Sequence, residues 1–185
     1  MRKIATVFRL IVSPQATWSR IFKSSSSASL ERTMYYPLVG LLAVSSFMIL
    51  VYNPMSTLHM AIIGAVMEFV AFFLGYVVAS FLISILLPKL QQAGKVTTDG
   101  RVRTFVIYNM SILVLIELVR NLLPTDDMPL LYIFTLYILY VIFRSVKFFS
   151  LESDKEAVFT VCAFLIIVAL PYVVLMLLNK LMPSL

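Results

Sequence analysis

Three charged side chains fall inside otherwise apolar stretches: Glu68, Glu117 and Arg120. A charge in hydrocarbon is expensive, so it marks a functional pathway or a partner that neutralises it. Glu117 precedes Arg120 by three residues, the spacing at which two side chains pair along one helix. Asn109 projects within about 20° of Arg120 at roughly 100° per residue. Glu68 lies on a stripe with Gly64, Ala71, Gly75 and Ala79, recurring at threes and fours. Ala71, Gly75 and Ala79 form a small-xxx-small run that lets two helix backbones approach closely, so Glu68 should face protein rather than lipid. Glu68 is about ten residues from the start of its run, roughly 15 Å along a helix. The expectation is a Glu68–Glu117–Arg120 cluster with Asn109 nearby. Its chemistry would be a proton or ion relay, or an ion cluster that locks two helices together. The second reading is preferred, because the penalty for an unpaired charge already explains it.

Other reactive residues offer less. His59 is the sole histidine and has no clustered carboxylates or thiols around it, so no metal site is expected. Asp126 and Asp127 read as a solvated turn, and Cys162, among Val161, Ala163 and Phe164, as a small hydrophobe. No nucleophile–base pair, Walker loop or dinucleotide fingerprint is visible. Gly94 to Gly100, GKVTTDG, lacks the Walker spacing and reads as a loop. No enzymatic activity and no cofactor are expected.

The elements that carry these residues follow from composition. The 185 residues are 61% hydrophobic and 13% charged, with mean hydropathy +0.98. Soluble domains are about 45–50% apolar and about a quarter charged. The class is therefore all-α and polytopic, an integral membrane protein. Five apolar runs follow Tyr36: 37–52, 58–87, 104–123, 129–149 and 157–178. Pro171 inside the last should kink it. Residues 1–36 form a separate N-terminal segment, and 37–185 the membrane domain. Every basic residue except Arg120 and Lys180 falls on one side if each run crosses once. The positive-inside rule then puts the N-terminus in the cytoplasm and the C-terminus outside.

Two regions of that cytoplasmic side stand out. Ile4, Val7, Phe8 and Ile11 follow helical spacing among Arg2, Lys3 and Arg9. Ser13 and Pro14 suit the start of a second helix, whose Trp18, Ile21 and Phe22 share a face while Arg20 and Lys23 reach water. This pair reads as interfacial and amphipathic, with Trp18, Tyr35 and Tyr36 as anchors at the headgroup boundary. The alternative is docking on the ends of the spans. The serines from Ser24 to Ser29 read as a linker. Lys89, Lys95, Arg101 and Arg103 surround the second connection and suit anionic lipid headgroups or an acidic partner, or serve topology alone.

Four stretches carry a family likeness. They are VSPQATWSRI (Val12 to Ile21), Tyr35-Tyr36-Pro37, the passage GKVTTDGRVRTFVIYNMSILVL (Gly94 to Leu115), and SLESDKEAV (Ser150 to Val158). Together they resemble the Yip family of membrane domains, named for interaction with Ypt/Rab GTPases, and in particular its short prokaryotic members. Tyr35-Tyr36-Pro37 lacks the acidic residue and glycine of the eukaryotic motif, a departure that puts GTPase binding in doubt. The resemblance implies five spans, a cytoplasmic N-terminus and, in eukaryotic members, a role in vesicle traffic and membrane shaping. For prokaryotic members it implies no settled activity. The expected function is a non-enzymatic scaffold or adaptor in the bacterial cytoplasmic membrane. It would organise lipid or a protein partner, with self-association through small-residue faces and no nucleic acid. The alternative is a small transporter or channel subunit using Glu68, Glu117 and Arg120.

Overall fold

The computed structural model describes residues 2–24, 30–123 and 129–181, which are helical apart from short connections. Asp126, Asp127 and the serines at 25–27 and 29 lie outside the described residues. Two short helices, α1 (Arg2–Val12) and α2 (Pro14–Ser24), precede α3 (Glu31–Tyr52), α4 (Leu58–Leu90), α5 (Asp99–Leu122), α6 (Pro129–Ser145) and α7 (Glu156–Leu181). Among the described residues, α3, α4, α5 and α7 are long and apolar enough to cross a membrane. Helix α6 has 17 residues and continues into a 3₁₀ turn, Val146–Phe148.

Several helices outrun their apolar stretches. Helix α3 contains a π turn over Glu31–Tyr35 and takes Pro37 into the α turn that follows. Helix α4 is capped by the Thr57 hydroxyl, which accepts from the Met60 N–H at 3.3 Å, and runs through Pro88 to Leu90. Pro88 is exposed in the last turn, so it removes one donor without ending the helix. Helix α5 starts at Asp99 rather than Thr104; an acidic first turn suits the positive end of the helix dipole. At about 1.5 Å per residue α4 is about 50 Å long, against about 30 Å of hydrocarbon.

Helix α5 is the central post. It is buried on nearly every side from Val102 to Ile116. That explains why it tolerates Thr104, Asn109 and Ser111 in its interior face. Each donates back to a carbonyl four residues earlier: Gly100 at 2.7 Å, Phe105 at 2.8 Å and Ile107 at 2.7 Å. Helices α4 and α7 pack along an extensive contact. There Gly75 faces Pro171 so closely that an added Cβ would lie 3.0 Å from the ring Cγ. Helix α7 remains helical through Pro171, which is buried against α4.

One end of the bundle is stitched by the chain itself. Gln91 and Leu151 pair as an antiparallel bridge. The Gln92 N–H donates to Ser150 O at 3.1 Å and the Glu152 N–H to Leu90 O at 3.2 Å. The buried Gln91 amide donates to Phe149 O at 2.7 Å and to Thr97 Oγ1 at 2.5 Å. These bonds place the α4–α5 connection beside the α6–α7 connection. Arg101 and Arg103 start α5, Lys89 ends α4 and Lys147 ends α6, so this is the basic end.

Helices α1 and α2 are built onto that end and share the core of the longer helices. Thr17 Oγ1 donates to Arg9 O at 3.2 Å, a second bond to a carbonyl that already accepts from the Ser13 N–H at 2.8 Å. Trp18 and Tyr35, expected at the headgroup boundary, are instead fully buried inside the protein. The Trp18 indole N–H donates to Val141 O of α6 at 3.0 Å, and its ring packs on Phe22, Phe105 and Tyr108. The Tyr35 hydroxyl donates to Phe72 O of α4 at 2.9 Å. The physical reason is the same for both. A large ring gains most when surrounded, provided its polar tip finds an acceptor, and a helix carbonyl has a second lone pair to give. Arg20 and Lys23 are exposed, and Tyr36 is half-buried against Phe73.

Candidate functional site

At the end opposite the basic one, three helices converge on Glu68. Asn121 of α5 donates through Nδ2 to Glu68 Oε1 at 2.9 Å and Oε2 at 3.0 Å. Ser46 of α3 donates to Oε2 at 2.8 Å. Ser45, which accepts from the same Asn121 amide at 3.1 Å, donates in turn to Leu42 O at 2.6 Å. The α-to-3₁₀ transition at Ser46 presents both serines here, and Gly64 of α4 lies 4.0 Å from Ser46 Cβ by its own would-be Cβ.

A second carboxylate stands beside the first. Glu117 accepts from the Tyr172 hydroxyl of α7 and pairs with Arg120 at 3.5 Å. The Glu117 side chain is 12% exposed and that of Arg120 49%, so the pair spans from protein interior to surface. Among the described residues Arg120 pairs with Glu117, not with Glu68. Tyr52 closes the group: its hydroxyl donates to Leu122 O at 2.7 Å, covering a carbonyl that α5 leaves open where it ends.

Asn109 is not in this group. It sits twelve positions before Asn121, roughly 18 Å along α5, and its amide donates within its own helix. Its Oδ1 is buried with no hydrogen-bond partner among the described residues. Glu68 is level with the last turn of α5, while α4 continues about 15 Å beyond it to Leu58 and α7 about 13 Å beyond Tyr172 to Leu181. The cluster therefore sits at the end of a short central post between two longer helices.

Sequence reasoning missed Ser45, Ser46, Asn121 and Tyr172. A signal existed for three of them. Asn121 is four residues after Glu117 on the same helix face, and Ser45-Ser46 interrupts an apolar run. Of the small-residue stripe, Ala71, Gly75 and Ala79 are buried, but the neighbours change along it: Gly75 meets α7 and Gly64 meets α3. His59 is exposed and Cys162 half-buried.

At the basic end, Lys89, Lys95, Arg101 and Arg103 are all exposed. Two of them also touch protein. The Arg101 guanidinium stands 6.0 Å from the Phe22 ring centroid, and Arg103 lies 3.8 Å from Glu31. Glu31 also accepts from the Tyr76 hydroxyl at 2.6 Å.

Helices of this length and apolarity, wound round a buried post, define a multi-pass helical membrane protein. The chain belongs to the Yip family: the model of the Yip1 domain matches residues 8–176, from α1 to the last turns of α7. No curated protein and no solved structure matches it.

Proposed function

We propose that the protein is a non-enzymatic scaffold or adaptor of the bacterial cytoplasmic membrane, crossing it five times with its N-terminus in the cytoplasm. Support for the fifth crossing comes from the joined connections at the basic end. Helix α5 leaves that end, and α6 must return to it before Leu151 can bridge Gln91. With its 3₁₀ turn, α6 has the length for the return, about 25 Å plus about 6 Å. The charge bias then orients the basic end inward.

The observation that carries the scaffold reading is α1. Val7 and Leu10 anchor it in the core, while Ile4, Phe8 and Val12 form an exposed apolar edge beside the exposed Arg9. An anchored helix with an outward apolar edge is suited to gripping lipid or a partner helix. The carrier reading draws less support, because every donor around Glu68 serves to join α3, α4 and α5.

The test is quantitative co-purification from solubilised membranes. A partner enriched over a tag-only control, and lost when Ile4, Phe8 and Val12 are all changed to serine, supports an adaptor. No enriched protein, or enrichment indifferent to that edge, contradicts it.

A further inference from the structure

A cavity of about 440 Å³ opens at the basic end where α3, α4 and α5 begin or end. That volume is within the range of small-molecule sites, about 300–1,000 Å³. Its charged lining is Glu31, Asp99 and Arg103. Two carboxylates against one guanidinium leave one negative charge over, and Arg103, at 3.8 Å, holds Glu31 only loosely. Ser80 and Ser84 also line the cavity, and the Ser80 side chain lies against the Tyr76 hydroxyl. On the outward rim stand Val77 and Phe81, 46% and 62% exposed.

We propose that this cavity receives the headgroup of a zwitterionic primary-amine phospholipid, a phosphatidylethanolamine. The ammonium would sit between Glu31 and Asp99, and the phosphate would take Arg103. One acyl chain would run along the exposed apolar face of α4 past Val77 and Phe81. The inference rests on the reading that the basic end lies at the headgroup level of the inner leaflet. A primary ammonium fits better than choline. Its three N–H donors match carboxylate oxygens, whereas a quaternary ammonium needs open aromatic faces. Here the Tyr76 ring is packed on Tyr35, with centroids 5.0 Å apart, and the Tyr36 ring on Phe73 at 5.8 Å. An anionic headgroup would bring a second negative charge to a lining that already has an excess of one.

The experiment uses the full-length protein in nanodiscs of equal parts phosphatidylethanolamine, phosphatidylcholine and phosphatidylglycerol. Lipid retained after transfer to detergent is read by native mass spectrometry. The expected result is at least tenfold preference for phosphatidylethanolamine over each competitor. Asp99→Asn should reduce it several-fold, and Asp99→Asn with Glu31→Gln should abolish it. Because Glu31 also holds Tyr76, the single Asp99 variant keeps the test valid if the double variant does not fold. Equal retention of the three lipids, preference for phosphatidylglycerol or phosphatidylcholine, or a preference untouched by Asp99→Asn would overturn the proposal. Thiol labelling of a Cys162→Ala, Lys95→Cys variant in sided vesicles checks the orientation separately. An outward-facing Lys95 position removes the topology itself, whereas an inward one with no lipid preference removes the headgroup assignment alone.

Discussion

Two groups of the same make-up stand at opposite ends of the bundle. Each has two carboxylates, one arginine and a tyrosine hydroxyl: Glu68, Glu117, Arg120 and Tyr172 at one end, and Glu31, Asp99, Arg103 and Tyr76 at the other. In the first, side chains from neighbouring helices already donate to the carboxylates, and Glu68 joins three helices through Asn121 and Ser46. In the second, the ion pair is loose, Asp99 is exposed, and the group lines a cavity. Residue types alone therefore do not separate a brace from a site. What separates them is whether the fold supplies the donors that each carboxylate needs.

Substitutions at the two ends should differ in their cost. Trp18→Ala should cost the most, about 3–5 kcal/mol, because it empties a buried ring site between α2, α5 and α6. Thermal unfolding in detergent would show it, and a melting point unchanged by the substitution would mean the N-terminal helices do not support the basic end. Glu68→Ala should follow. It leaves Asn121 and Ser46 without their acceptor, at about 1–3 kcal/mol for each buried group. A melting curve identical to wild type would remove the brace.

Gly75→Ala lies between the two groups on α4. Its Cβ would meet the Pro171 ring, which has no flexible end to give way, so overpacking of about 1–3 kcal/mol is expected. Gly40→Ala is the control, since nothing lies within 4 Å of the added Cβ; it should be neutral or stabilise by about 0.5–1 kcal/mol. Asp99→Asn should be as small in its effect, within about 1 kcal/mol, since Asp99 is an exposed first-turn residue. If unfolding instead showed Asp99→Asn as damaging as Glu68→Ala, the two ends would both be braces.

Much of the helix plan was legible, and for definite reasons. Long apolar runs separated by polar connections leave few alternatives in a chain this hydrophobic. Helix starts were harder. Asp99 opens its helix well before the apolar run begins, where an acidic first turn suits the helix dipole and hydropathy carries no signal. Trp18 and Tyr35 were illegible. An amphipathic helix with one tryptophan looks the same whether it lies in lipid or against protein. The deciding bond, from Trp18 to the Val141 carbonyl, joins residues 123 apart in sequence. Glu68 facing protein followed from its stripe of small residues, but its partners did not. Arg120 has the opposite charge and drew the expectation, while Asn121, one position on, has the reach to both Glu68 oxygens.

The account turns on Glu68 as a brace rather than a step in a conduction path. The direct measurement is proton and monovalent-cation flux in proteoliposomes, made in parallel with thermal unfolding, for wild type and Glu68→Gln. The account predicts no wild-type flux above protein-free liposomes and a lower melting point for Glu68→Gln. Wild-type flux that Glu68→Gln abolishes, with the melting point unchanged, would contradict it.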